Sequence, residues 1–215
     1  MGRRTGPVVG VASALAIGLT LGPAGCGRGA GDQAAPAAAQ AAAPADLLPS
    51  AEDLGAGWRR VVAAPAPPVP EWPWALPHCV LYRAADYPAM EHRAAVHRQR
   101  YAGRPGQTIS VTVERFQPGW AARSMDDVRR LLDVCVRYEY SDASTEFLDS
   151  HTMTLEAFAG DDSLMVETVR ITAARPADNR FTAVVRRGEL VITIVGVGVP
   201  QEQLPPLARL LASRA

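Results

Sequence analysis

Between Thr152 and Val197 four strand-length runs follow one another with only turn residues between them, and this succession limits the fold more than any other feature of the chain. The runs are Thr152 to Phe158, Leu164 to Thr172, Phe181 to Arg187 and Leu190 to Val197. Their connections are Gly160-Asp161-Asp162, Pro176-Ala177-Asp178-Asn179 and Arg187-Gly188. Connections this short cannot hold a parallel crossover, so the runs pair as antiparallel hairpins. The last run is apolar at Leu190, Ile192 and Ile194 and again at Val191, Val195 and Val197, which predicts a central strand covered on both faces.

Upstream, His92 to Tyr101 and Thr108 to Phe116 flank Ala102-Gly103-Arg104-Pro105-Gly106, a connection of hairpin type. In the second arm Ile109, Val111 and Val113 alternate with Ser110, Thr112 and Glu114, the pattern of a half-buried strand. Met125, Val128, Leu131, Leu132, Cys135 and Tyr138 recur at spacings of three and four, which predicts a helix with Ser124 and Asp127 as its capping pair and Arg137 in its last turn. A terminal helix opens at Pro205 or Pro206 and runs through Leu207, Leu210 and Leu211. Near the domain start Ser50 is a fair N-cap with Asp53 three residues on, and a short helical turn there delivers Trp58 to the core. Pro65, Pro67, Pro68, Pro70, Pro73 and Pro77, with Trp72 and Trp74 among them, make residues 64–77 a loop or an edge, because neither a helix nor a central strand tolerates that density. The fold class that follows is α+β, an antiparallel β-sheet packed with two or three helices and stapled by one disulfide.

The staple comes from cysteine arithmetic. Arg3-Arg4, an apolar stretch from Val8 to Leu21 and Ala24-Gly25-Cys26 have the three-part layout of a secretory signal. As a helix the apolar stretch rises about 21 Å, short of the roughly 30 Å hydrocarbon core, so residues 1–25 read as a cleaved signal peptide. Small residues ahead of a cysteine resemble the lipobox of bacterial lipoproteins, with Pro23 standing where leucine is usual, and Cys26 is then the acylated residue that anchors the chain to the membrane. Residues 26–46, almost wholly Ala, Gly, Pro and Gln, form a tether, and 47–215 form a single domain. Of three cysteines that leaves Cys79 and Cys135, which outside the cytosol pair as a disulfide.

Charge excludes one class of partner. The 22 basic residues, all arginines, balance 22 acidic ones, so the basic surplus that nucleic acid requires is missing. Chemistry is equally sparse. His78, His92, His97 and His151 sit in no metal-ligand or catalytic spacing, no Gly-x-Ser-x-Gly or His-Glu-x-x-His occurs, and a chain without lysine cannot form a Walker phosphate loop. No catalytic residue, metal site or cofactor is expected. Asp161-Asp162 and Arg186-Arg187 read as turn residues. Trp72, Trp74, Arg100 and Arg115 are the candidate ligand-binding residues, because aromatic faces and guanidinium groups are common recognition chemistry, and capping the core beside Cys79 is the other role open to the two tryptophans.

Asp53-Leu54 with Gly57-Trp58, Cys79 with Cys135, Gly160-Asp161 ahead of a strand, and Val184-Val185-Arg186-Arg187-Gly188 ahead of an apolar strand and terminal helix occur in an order that resembles the actinobacterial sensor-domain lipoproteins. These are similar to the PknH-like extracellular sensor domain family. The resemblance implies a mixed sheet-and-helix domain, a cleft for an extracellular ligand and no enzymatic activity. The kinase sensor domain of that family has two disulfides, and this chain has cysteines for one. The expected function is a non-catalytic envelope lipoprotein, lipid-anchored on the extracytoplasmic face, that binds a ligand or an envelope protein. The alternative is a carrier of lipid or another apolar ligand, which requires a large apolar pocket. A hydrolase comes third, and it requires His151 or His97 to meet a carboxylate and a hydroxyl in one cleft.

Overall fold

The computed structural model describes residues 44–62, 79–142, 145–173 and 175–215. Expectations for the signal peptide, for Cys26 and for Trp72 and Trp74 therefore lie outside the described residues. Among these residues eight strands form one sheet: β1 (Arg59–Val61), β2 (Arg93–Ala102), β3 (Thr108–Phe116), β4 (Arg137–Asp142), β5 (Thr145–Glu156), β6 (Asp162–Thr172), β7 (Arg175–Arg187) and β8 (Leu190–Val197). The α-helices are α1 (Trp120–Val134) and α2 (Leu204–Arg214). No helix among the described residues is long and apolar enough to cross a membrane.

The strands lie in the order β1-β2-β3-β8-β7-β6-β5-β4, with every neighbour antiparallel. Two meanders, β1 to β3 and β4 to β8, therefore join through the β3–β8 pair. The doubly apolar pattern of β8 is explained by this place inside the sheet. Leu190, Ile192 and Ile194 meet Ile109, Val111, Val113, Ala183 and Val185 under α2, whose Leu204, Leu207 and Leu211 cover that face. Val191 points the other way, to Phe116, Leu164, Val166 and Val184, under Ala121, Met125 and Val128 of α1. The sheet thus has a helix on each face. The boundaries of β3 and β8 coincide with the runs read from the sequence. On the face of β3 expected to meet water Thr112 and Glu114 are buried as well, each bonded by a β2 arginine, Arg98 to Thr112 and Arg93 to Glu114.

Three expectations are corrected. The helix begins at Trp120, after Gly119 at φ 81, and not at Ser124. Glu189 sets that start by accepting the Gly119 N–H at 3.0 and 3.1 Å, which leaves Ser124 and Asp127 buried inside the helix. Its end falls at Val134, since Cys135 is bonded to Cys79 and the chain turns there into β4. Tyr138 lies on that strand opposite Asp149, and its helical spacing from Cys135 is a coincidence of period. Lastly, Pro176 to Asn179 belong to β7, whose return from β6 lies between the paired Thr172 and Arg175. Proline is tolerated because β8 first pairs with β7 at Arg180, so this end of β7 has a neighbour on one side only.

The domain start is close to expectation. Its described part opens three residues ahead of Leu47, in a 3-10 turn, Pro44–Leu47, with Pro44 and Leu47 buried. Ser50 Oγ accepts the Asp53 N–H at 3.2 Å and the Asp53 carboxylate accepts the Ser50 N–H at 2.7 Å, a reciprocal cap. Trp58 packs against the α2-side core beneath Gly103, where a Cβ would stand 3.1 Å from its ring. The disulfide joins Cys79 to Cys135 over 56 residues with 6.0 Å between the Cα atoms.

Gly160 shows how tightly the β5–β6 connection is held. Its φ is +62°, and a Cβ there would lie 2.3 Å from the Arg186 carbonyl oxygen. Gly160→Ala is expected to cost about 2–3 kcal/mol, from left-handed backbone strain plus the collision. Gly188→Ala has similar strain (φ +55°) but open space around it, so its cost should stay near about 1 kcal/mol. Urea unfolding of the two variants checks this, and equal losses would remove the steric part of the explanation.

Candidate functional site

Arg100 and Arg115 do not meet. Arg100 is opposite Ser110 on the face that α1 partly covers, whereas Arg115 is opposite Leu190 on the face of Val111 and Val113. Side chains alternate along strands, so the sheet separates the two guanidinium groups.

The Arg100 face carries a concavity of about 290 Å³ where α1 leaves it open. Because alternate residues share a face, each strand contributes every second side chain. These are Arg98 and Arg100 from β2, Thr108, Ser110, Thr112 and Glu114 from β3, Thr193, Val195 and Val197 from β8, and Arg180 from β7. Hydroxyls make much of the floor, and arginines stand on both walls. Arg98 Nε donates to Thr112 Oγ1 at 3.2 Å. Glu114 is buried, which pushes its carboxyl up, and Arg93 Nη1 counters by donating to Glu114 Oε1 at 2.6 Å. Arg180 is half-buried and forms no hydrogen bond or salt bridge among the described residues. Burial, and the Arg170 guanidinium beside it, push its pKa down from the usual arginine value, while Asp178 and Asp149 oppose them.

Sequence reasoning missed Arg180 because residues just before it read as a turn. Arg98 was hidden by a strand whose two faces are both largely exposed at its start. The hydroxyls at Thr108, Ser110 and Thr112 were visible as an alternation, but their role required knowing that β8 lies beside β3.

A second polar cluster lies deeper on the same face. His151 Nδ1 is 2.9 Å from Thr168 Oγ1 and Nε2 is 3.3 Å from Tyr138 Oη. Asp149, fully buried, accepts Arg170 Nε and Nη2 at 2.9 and 2.8 Å, and Arg170 also lies over the rings of Tyr140 and Phe147. The hydroxyls occupy both ring nitrogens of His151 inside the protein, and the one carboxylate nearby is held by arginine. His97 is exposed and paired with Val113, on the other face. Among the described residues, no group of three or more His, Cys, Asp or Glu side chains is placed to hold a metal.

Burial pushes the His151 imidazole down from 6.5 to about 4, helped by Arg170 and Arg180 and opposed by Asp149. Above pH 6.5 the ring is neutral folded or unfolded and has no effect on stability. As pH falls below 6.5 the unfolded chain takes up a proton that the folded one refuses, so stability drops until about pH 4, where the folded ring protonates as well. The expected loss, allowing for partial screening, is about 2 kcal/mol over that window. His151→Gln should flatten the stability profile between those limits, as read by chemical denaturation at stepped pH.

Fold and site define a disulfide-pinned antiparallel-sheet domain with a helix on each face and a basic concavity beside one of them. Among solved structures, the chain is similar to the extracellular domain of PknH from Mycobacterium tuberculosis, at 10% identity and TM-score 0.45, over 60% of this chain and 68% of that one. It is also similar to an Rv0999 ortholog from Mycobacterium smegmatis, at 10% identity and TM-score 0.31, over 56% of this chain and 64%, less than two thirds, of that one. No protein-family model and no curated protein matches the sequence.

Proposed function

We propose that the chain is a non-catalytic cell-envelope lipoprotein whose extracytoplasmic domain recognises a ligand in the concavity of the open sheet face. The observation that carries this reading is the half-buried Arg180 on that concavity, a cation with no bonded partner among the described residues. Holding a guanidinium half-buried beside a second one, Arg170, costs stability, and recognition is a reason to keep it there. The secretory layout up to Cys26 and the Cys79–Cys135 disulfide support the location. The carrier alternative has less behind it. The larger hollow beside α2, about 650 Å³, is lined by Asp53, Arg104, Gln107 and Glu202 as well as by Trp58 and Leu207, and such walls suit no acyl chain.

Intact mass spectrometry of the protein purified in detergent from its native membrane tests the reading. The expected result is a diacyl modification on Cys26 and no lipid beyond it. Stoichiometric extractable lipid would favour the carrier, and an unmodified chain absent from the membrane fraction would overturn the lipoprotein assignment.

A further inference from the structure

The charges on the concavity indicate what it recognises. Three guanidinium groups line it against one carboxylate, Glu114, and that carboxylate is already held by Arg93. Deeper in, Asp149 is fully engaged by Arg170. Asp178 shares the strand face of Arg180 and is exposed to solvent, without a hydrogen bond to it. No described carboxylate therefore satisfies Arg180. Between the arginine walls, Thr108, Ser110, Thr112 and Thr193 offer hydroxyls that both donate and accept.

Dimensions follow from the strand order. Arg98 and Arg100 stand on β2 and Arg180 on β7, with β3 and β8 between, so the walls are three strand spacings apart, about 14 Å between backbones. Arginine side chains reach inward from both walls, and the room left, about 290 Å³, is at the small end of ligand pockets. An anionic head seated at Arg180 would leave a short body lying over the hydroxyl floor and under Arg98 and Arg100. Four floor side chains carry hydroxyls while Val195 and Val197 lie nearest Arg180, and a body reaching over those hydroxyls must itself carry hydroxyls, since burying them against an apolar ligand would strand their hydrogen bonds. Three guanidinium groups around one carboxylate that is already bonded to Arg93 reward a dianion over a monoanion, and a phosphate monoester carries nearly two charges with three acceptor oxygens.

We infer that the concavity binds a small polyol or sugar phosphate monoester, with its phosphate on Arg180 and its hydroxylated body on the threonine and serine floor. This rests on the concavity being the recognition surface. Arg180 is then a binding residue, Arg98 and Arg100 supply the second wall, and Arg115, on the other face of the sheet, takes no part.

Calorimetric titration of the full mature chain in detergent tests this, with inorganic phosphate, glycerol phosphate, glucose phosphate, glucose and glucuronate as probes. Glucose phosphate or glycerol phosphate should bind at least about tenfold more tightly than glucuronate or glucose. Arg180→Gln should weaken the phosphate ester by about tenfold or more, Arg100→Gln by a smaller factor, and Arg115→Gln not at all. Arg100 is exposed, so its variant folds even if the Arg180 variant does not. Affinity should also fall as salt rises. No response to any phosphate probe up to about 10 mM overturns the inference. So does equal weakening by Arg115→Gln, which would mark a nonspecific charge effect, or binding confined to phosphatidylglycerol vesicles, which would mark a lipid headgroup. Glucose or glucuronate binding that is lost in a Ser110→Trp variant would overturn the phosphate while leaving the concavity as the recognition surface.

Discussion

Asp149→Ala is expected to destabilise the domain by about 3–5 kcal/mol, the largest effect of any single substitution considered for this protein. Asp149 is fully buried and takes two hydrogen bonds from Arg170, whose side chain is itself only partly exposed. Removing the carboxylate leaves Arg170 without its partner, close to a second guanidinium, Arg180, with which it already interacts unfavourably. Two cations then face each other in a poorly solvated part of the sheet, and neither can be neutralised by losing a proton. The comparison that isolates this cause is Asp149→Leu combined with Arg170→Met. Exchanging a buried pair for apolar side chains of similar size is often close to neutral, so the double variant should recover most of the loss. Thermal and urea unfolding read both. A double variant as unstable as Asp149→Ala would shift the cause from the orphaned charge to packing around Tyr140 and Phe147.

Cys79→Ser should lower the stability of the oxidised domain by about 4 kcal/mol, the chain-entropy value for a loop of the observed 56 residues. The bond ties the segment ahead of β2 to the C-terminal end of α1, where Leu131, Tyr87 and Tyr138 pack around the two sulfurs. It therefore ties the segment after the Pro/Trp stretch to the junction, distant in sequence, where α1 passes into edge strand β4. Cys135→Ser should behave the same way, and the reduced wild type should match both variants. If oxidised and reduced protein unfold at the same urea concentration, the bond contributes no stability. Hydrogen exchange should show the loss concentrated in β4 and the last turn of α1, because among the described strands β4 pairs with β5 alone.

Legibility in the sequence followed the range of the interactions. β3 and β8 were readable to the residue because each is bounded by turn residues and carries its alternation over eight or nine positions. The Ser50–Asp53 cap was readable because both partners are local. α1 was readable as a helix but misplaced, since its start is set by Glu189, seventy residues away, and its end by a disulfide. β4 was missed outright. Its Tyr138 continues the helical stripe in spacing, and only the existence of β5 as a partner turns Arg137 to Asp142 into a strand. Of the candidate site residues, Arg100 lies on the concavity and Arg115 lies behind it. Composition nominates arginines, but it carries no information on which face of the sheet each one occupies.

The sequence by itself determined the antiparallel hairpins, the central character of β8 and the pairing of Cys79 with Cys135. Those depend on period, turn chemistry and a count of thiols, all of which act over a few residues or allow one solution. Only the tertiary structure decided that the second meander docks its last strand against β3, and with that which side chains become neighbours. Arg98 and Arg100 come to face Arg180 across a floor of hydroxyls and two valines because β3 and β8 lie between their strands. His151 is neutralised by burial against residues from β4 and β6. Strand order in a sheet is chosen by the sum of many weak side-chain contacts over the whole core, and no single stretch of sequence contains that sum.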